Sequence, residues 1–595
     1  MTTVISGSSP SITFSDATTQ TTAANAATAT TAGTVYAKQT SGGGTPYLTA
    51  FGYNAGVSTT GVNNTAIGTE SLYTNSTGTA NVAVGYQSLY SSSVAYTTAI
   101  GYQAGYKCSD VSTGNSFLGY QAGYNQTSAY ASTFIGTGAG YSNVTSVFNT
   151  YIGHNAGYYQ TGASNTAIGA SAFVGASGAS TGVYNTAIGY RALYANTTGN
   201  QNTATGWWAL SANTTGLQNS AYGDSSLYSN TTGTYNAASG QQALLSNTTG
   251  SYNTACGQNA LSSNTTASSN TAVGYQAGYG NTTGTLNVLL GAGAGYTNTA
   301  GYGLTAIGYQ AAYTTNLTSA GYTGITAIGM QTLYSNTTGG ANIAIGGYDA
   351  GNVKPALYTN TTGSFNIAVG TGALALNTTG TNTTALGYQA GYSHTTGNDS
   401  VMVGYQAGKG ITTASNNICI GSGAGNNTTP IITGAQNIHI GAYTIASSSS
   451  ASYEIIIGYA SGGKGANTAY INANSGGTYN GNNSTVWTVA SDQRLKKNIV
   501  DNTVGLSAIN AIQVRNFEYK LPEEVTELDP KNAIEIKGVQ LGAIAQELQQ
   551  ILPDCVKTES TGVMSVDSTN IMWHMINAIK ELNAKVIALE TKLGA

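Results

Sequence analysis

From residue 51 to about residue 470, short apolar phrases alternate with polar turn phrases at a nearly fixed interval. The recurring text is Asn-Thr-Ala-Ile-Gly-Tyr-Gln-Ala-Leu-Tyr-Ser-Asn-Thr-Thr-Gly, and its phase is marked by the Gly that closes Thr-Ala-Ile-Gly. Gly189, Gly206, Gly223, Gly240, Gly257, Gly274, Gly291 and Gly308 follow one another at intervals of 17. Looser copies carry the series back to Gly52 and forward to Gly458, giving 24 marked units.

A phrase such as Thr186-Ala187-Ile188 alternates as a strand does, and no i, i+3, i+4 apolar pattern runs through the unit. Gly, Asn and Thr at this density disfavour helix, while Asn-Thr-Thr-Gly supplies turn chemistry. Gly at a fixed phase marks a corner that needs positive φ. Two short strands and two turns use about 17 residues, so the unit is predicted to be one coil of a β-solenoid or β-roll, hydrogen-bonded to the coils above and below it. At about 4.7–4.9 Å per coil the stack would run roughly 110–120 Å.

The Ile/Val series (Ile67, Ile100, Ile188, Val273, Ile307, Ile328, Ile345 and Val369) is expected to point inward, with the adjacent Ala allowing close packing. Insertions such as the long step from Gly346 to Gly370, with Lys354 and Pro355, are expected to be surface loops. A rod this thin has little core per chain. The Tyr/Leu stripe is therefore expected to be covered by further copies of the chain.

Composition narrows the function classes. Charged residues make up 6% of the 595 and Gly supplies 80 positions, unlike an ordinary globular enzyme. The net charge of −4 gives no case for nucleic acid or an anionic membrane. No apolar run approaches the roughly 20 residues of a membrane helix, and the opening MTTVISGSSP has no basic stretch followed by an apolar run. Cys108, Cys256, Cys419 and Cys555 lie far apart with no CxxC spacing, which argues against a zinc site or a disulfide framework. Cys256 and Cys419 fall inside the repeated strand and are read as small core residues. No cofactor and no metal site are expected. Calcium solenoids place Asp in each turn, and a glycosidase needs paired carboxylates. The seven acids before residue 490 are dispersed and share no phase.

The charge sits at the end of the chain. Residues 491–595 hold 11 of the 17 basic and 14 of the 21 acidic side chains, which places a domain boundary near residue 490. The region opens with Ser491-Asp492-Gln493-Arg494-Leu495-Lys496 and contains Phe517-Glu518-Tyr519, Gly542-Ala543-Ile544-Ala545-Gln546 and Leu552-Pro553. It closes with Met572, Met575, Ile579, Leu582, Val586, Leu589 and Leu593, whose 3-4 spacing is a heptad seam. A small α+β domain ending in a coiled-coil helix is predicted. The division is 1–50 for attachment, 51–470 for the shaft, 471–490 for a linker and 491–595 for the terminal domain.

The Asn-Thr-Ala-Ile-Gly coils resemble the head repeats of trimeric autotransporter adhesins and repeats in phage tail fibres. The ordered motifs after residue 490 resemble the intramolecular chaperone of endosialidases, tailspikes and tail fibres, also classed as a self-cleaving peptidase. That resemblance implies a homotrimer, guided folding of the β-rich part, and a cut at Ala490–Ser491. Ser491 would be the nucleophile and Lys496 its activating partner, with Asp492 beside them. Members that cut themselves commonly carry a His two residues before the Gly of the GxIAQ phrase. Here Gln540 stands there, and His574 is the sole His beyond residue 490.

The expected function is a phage tail or receptor-binding fibre, assembled in the host cytoplasm and carried on the virion. Its partners would be its own copies, a tail or baseplate protein through the N-terminus, and a host surface glycan or protein. No nucleic acid partner and no membrane insertion are expected. The alternatives are a bacterial surface adhesin and an ice-binding solenoid. Asn-Thr-Thr triplets such as Asn196-Thr197-Thr198 formally match glycosylation acceptors but are read as turns, and the Tyr-rich surface is read mainly as packing. Residues 347–362 are the favoured recognition loop.

Overall fold

The computed structural model describes residues 11–13, 19–21, 47–472, 478–480 and 493–594, leaving out 92, 110–112, 179, 318–323, 531–532, 535 and 560–561. It divides into two compact units, Met1–Val489 and Ala490–Ala595. Most of the proposed attachment region, the 481–490 junction and the residues Ser491 and Asp492 lie outside the described residues. Within that first region Ser11–Thr13 pairs antiparallel with Thr19–Thr21.

The first unit is a β-solenoid of about 24 turns with coils of some 17 residues. Each marked coil contributes a short strand that pairs in parallel, in register, with the strands before and after it. Thr186↔Thr203, Ala187↔Ala204 and Ile188↔Thr205 are typical. The ladder runs from Leu48–Phe51 to Ala469–Asn472, where Thr478–Asn480 closes it antiparallel.

One strand per coil is found where two were expected. Three residues per coil adopt left-handed backbone, as at Arg191, Leu193 and Gln201, so the second half of the coil cannot run extended. Its backbone still bonds between coils: Leu193 N donates to Ala209 O and Thr197 N to Thr214 O, both at 2.9 Å.

The marker Gly is required twice over. Gly206 has φ +140, and a Cβ there would sit 2.4 Å from the carbonyl oxygen of Gly223 in the next coil.

The inward direction differs from the expectation. In a three-residue strand only the middle side chain faces the interior, and here that residue is Ala: Ala187, Ala204 and Ala221 are fully buried. Ile67, Ile100, Ile188 and Val273 are 38–40% exposed, while Ile307, Ile328, Ile345 and Val369 are half-buried. Cys256 stands at the same outer phase and is exposed, so only Cys419, a middle residue, is the small core residue expected.

Leu72, Leu193, Leu210 and their equivalents complete the core from the opposite turn. The Leu half of the expected inter-chain stripe is therefore internal. The Tyr half stacks upon itself: Tyr73, Tyr90, Tyr106, Tyr124, Tyr141 and Tyr158 form one column with centroids 4.8–5.1 Å apart.

Three consecutive coils exchange core volume between the two inward positions. Phe117, Phe134 and Tyr151 replace the inward Ala where Gly123, Gly140 and Gly157 replace the facing Leu. A Cβ on Gly123 would lie 2.7 Å from the Phe117 ring.

Two buried Asn ladders bind successive coils. Asn202 Nδ2 donates to Asn185 Oδ1 at 3.2 Å, and Asn213 Nδ2 donates to Asn196 Oδ1 at 2.8 Å. Asn196 and Asn230 are fully buried, which removes them as sugar acceptors. The Thr hydroxyls of the same turns are also committed: Thr197 Oγ1 donates to Thr214 O at 3.0 Å, as does Thr214 Oγ1 to Thr231 O.

Asp349 organises the inserted loop. Its carboxylate accepts from Gly351 N, Val353 N and the Tyr388 hydroxyl, and the bond from Val353 N leads in holding it below the usual carboxylate range.

The second unit carries helices α1 (Leu506–Ala511), α2 (Ala545–Ile551) and α3 (Ser568–Leu593). Two hairpin pairings accompany them, Arg515–Phe517 with Gln540–Gly542 and Val556–Thr558 with Met564–Val566. Its small core is Leu548, Leu552 and Cys555, with Ile509, Ile551 and Ile571 packed around it.

Candidate functional site in the C-terminal domain

Helix α3 is defined at both ends. The Asp567 carboxylate caps it by accepting from Thr569 N and Asn570 N, and Gly594 ends it in the left-handed conformation, the usual chemistry of each terminus. Its two faces do different work. Met572, Met575, Ile579, Leu582, Val586, Leu589 and Leu593 are all exposed, Leu593 by 83%. The predicted seam is thus present and uncovered within one chain. Met575, Ile579 and Leu582 also border a shallow apolar groove with Leu506 and Ile509 of α1.

The other face grips the segment 502–506. Asn577 Nδ2 donates to Asn502 O at 2.8 Å, and Glu581 accepts from Leu506 N at 3.0 Å, satisfying the first turn of α1. Contact there is close enough that a Cβ on Gly505 would lie 2.4 Å from Glu581 Oε1.

His574 completes this grip. It is 3% exposed, with Nδ1 3.1 Å from Val504 O and Nε2 2.8 Å from Asp554 Oδ2. Both neighbours are acceptors, and a neutral imidazole has a single N–H to give. Only the imidazolium satisfies both. Burial works against the charged ring, but the bonds to Asp554 and Val504 outweigh it and raise its pKa. Asp554, Cys555 and His574 lie within 4.8 Å of one another, yet these contacts already serve the carboxylate and the ring. The Cys555 thiol is pushed up to about 11 by burial and by the charges of Asp554 and Asp567, so it stays protonated.

The cleavage residues named from the sequence are not brought together here, because Ser491 and Asp492 lie outside the described residues. Lys496 is exposed and follows the short turn Gln493–Leu495, bonding through its backbone N to Gln493 O. Gln540 pairs with Phe517 across the hairpin, and its Nε2 donates to Gly538 O at 3.1 Å. Sequence reasoning overlooked the partnership of Asp554, Val504, Asn577 and Glu581 with α3. The one available signal was the 574, 577, 581 spacing of polar residues opposite the seam.

Residues 491–557 match the family model described as the chaperone of endosialidase. A chaperone-of-endosialidase domain stands at the C-terminus of this chain. The matched segment holds α1, α2 and Asp554, and α3 follows it. The chain is also 32% identical over 110 residues to a probable tail fiber protein of Escherichia phage Phieco32. That alignment covers 18% of this chain and 14% of the phage protein, so the chain spans about a seventh of its relative's length. No solved structure matches the chain. Among the described residues, no helix is long and apolar enough to cross a membrane.

Proposed function

We propose that the chain is a phage tail fibre: a homotrimeric solenoid shaft whose C-terminal chaperone domain aligns three copies while the coils form. The observation that carries this reading is the uncovered seam of α3 in a domain matching a chaperone family, joined to a long parallel stack. Parallel pairing across many coils is slow to nucleate, and three chains gathered at one end would share a register from the first coil. The exposed Ile/Val rank of the shaft, in place of the Leu stripe, is then the surface that further copies cover.

In this reading residues 1–50 attach to a tail or baseplate protein, the fibre is built in the host cytoplasm and carried on the virion, and the shaft adheres to a host glycan or protein. The chaperone domain is released by a cut at Ala490–Ser491, with Ser491 as nucleophile beside Asp492 and Lys496 as its activator. A lysine does this only when its pKa is lowered.

Light scattering of the purified chain is expected to give three chain masses, and a monomer sinks the assembly. Intact mass under denaturing conditions is expected to show the fragment beginning at Ser491. Its absence, or its persistence in Ser491→Ala, removes the cleavage step.

A further inference from the structure

The phase two residues past the marker Gly is an amide column along much of the shaft: Gln103 donates to Gln87, Gln121 to Gln103, and Gln406 to Gln389. Between Asn155 and Gln242 it gives way in four consecutive coils to Ser171, Arg191, Trp208 and Ser225. Arg191 is the one arginine before residue 490, and Trp207 and Trp208 are the only tryptophans between residue 1 and residue 486.

Arg191 lies among aromatic rings, its guanidinium 5.1 Å from the Tyr194 centroid, 5.4 Å from Tyr190 and 5.5 Å from Trp208. No carboxylate among the described residues pairs with it. Trp207 is 60% exposed and leans on Tyr190 with centroids 4.9 Å apart. In the following coils its phase passes to Asp224, Gln241 and Gln258, all exposed. The far side of the Trp207 ring therefore meets no aromatic neighbour.

We propose that Arg191, Trp207 and Asp224 form a binding site for a carboxylated saccharide, a reading that rests on the adhesive role given above. The unpaired guanidinium presents a fork of donors that fits a carboxylate. An exposed indole offers the flat apolar surface on which a pyranose ring stacks. Asp224, with one oxygen already accepting from Ser225 Oγ, offers its other as an acceptor for hydroxyls. Gln241, whose Oε1 accepts from Gln258 Nε2, offers its Nε2 as a donor, at the spacing of about 4.8 Å per coil that matches successive ring positions. The two charges set the polarity: the sugar carboxylate lies at Arg191, and its hydroxyl edge points toward Asp224. The stacked Tyr columns cannot do this, because their faces are taken by one another.

The repeat supplies its own controls. Arg191→Gln installs the residue of Gln103 and Gln121, and Trp207→Tyr installs that of Tyr190 and Tyr275, so both variants keep the coil. The full chain is tested on immobilised sialylated and uronic-acid oligosaccharides beside their carboxyl-reduced forms. Reduction of the carboxyl, or Arg191→Gln, is expected to weaken binding by about tenfold or more, the loss of one charge-assisted pair. Trp207→Tyr is expected to weaken acidic and reduced forms alike.

Equal binding of the reduced forms, no glycan bound, or capture of acidic peptides in their place overturns the site. Unchanged cell adherence by Arg191→Gln sinks the site and leaves adhesion standing. Arg191-dependent glycan binding without cell adherence keeps the site and sinks the adhesive role.

Discussion

His574 Nε2 stands 2.8 Å from Asp554 Oδ2 while its other ring nitrogen faces the carbonyl of Val504. One buried ring thereby ties helix α3 to two separate segments, and it does so fully only when doubly protonated.

The stability of the chaperone domain should therefore depend on pH in a defined direction. A folded pKa raised above the unfolded value of about 6.5 gives stability that is complete below that value and lost as pH rises through the folded pKa. All α-helices among the described residues lie in this domain, so ellipticity at 222 nm reports on it within the full chain. The melting midpoint is expected to fall between pH 6 and pH 8.5. His574→Gln should cost about 1–3 kcal/mol at pH 6 and flatten the profile, while Asp554→Asn should move the loss to lower pH. A flat wild-type profile would refute the imidazolium assignment.

The shaft should respond in the opposite sense. His394 takes a place in the Asn ladder, with Nδ1 3.2 Å from Asn377 Oδ1. His439 takes the inward place of a strand, with Nδ1 3.3 Å from Thr444 Oγ1. Burial lowers both to about 4. Their neutral forms contribute stability above about pH 6.5 that is lost as pH falls toward 4, at up to roughly 1.4 kcal/mol per pH unit for each ring. Hydrogen exchange, corrected for its intrinsic pH dependence, should show coils 377–440 opening at pH 5 while coils near residue 230 stay closed. His394→Asn restores the ladder residue and should remove its share of that sensitivity.

Volume exchange within a coil gives a test of the core. Phe117→Ala should cost about 3–5 kcal/mol by leaving a cavity, and Gly123→Leu alone should clash with the Phe117 ring. The double variant recreates the Ala/Leu pairing of Ala187 and Leu193, whose left-handed backbone Leu already tolerates. It should regain most of the loss in thermal melts. Additive losses would mean that the two positions do not share one space.

The direction of the strand side chains can be separated from their hydrophobicity. Ala187→Leu puts bulk into the interior and should destabilise the shaft by about 1–3 kcal/mol. Ile188→Thr copies Thr205 of the next coil and should change the melting of the single chain by no more than about 0.5 kcal/mol. In the assembly proposed above, repeating that change at Ile168 and Val273 should raise the concentration needed for association. A large loss from Ile188→Thr in a monomeric state would restore the inward reading of that rank.

The period, the number of coils, the Gly phase and the seam of α3 were all legible in the sequence, because each is a regularity of spacing. The direction of Ile188 was not. Hydrophobicity ranks Ile above Ala for burial, and only the strand's shortness and the Leu193 packed opposite leave room for nothing larger than Ala187. The Phe117/Gly123 exchange was written in the text of the repeat, but it emerges only when coils are compared position by position. His574 was noticeable as a solitary histidine. Its partners were not, since Val504 lies 70 residues away and contributes a backbone carbonyl that no side-chain pattern records.

The marker Gly imposes one condition on every coil and the two Asn columns impose theirs on each coil that carries them, and none of those conditions refers to a coil's ordinal position. Removing or duplicating 17 codons between equivalent phases leaves each ladder with a matching neighbour and changes only the length of the stack. Recombination between near-identical coils is thus a structurally silent way to lengthen or shorten the molecule in steps of one strand spacing. Only singular features such as Arg191, Asp349 and His394 record where in the series such an exchange took place.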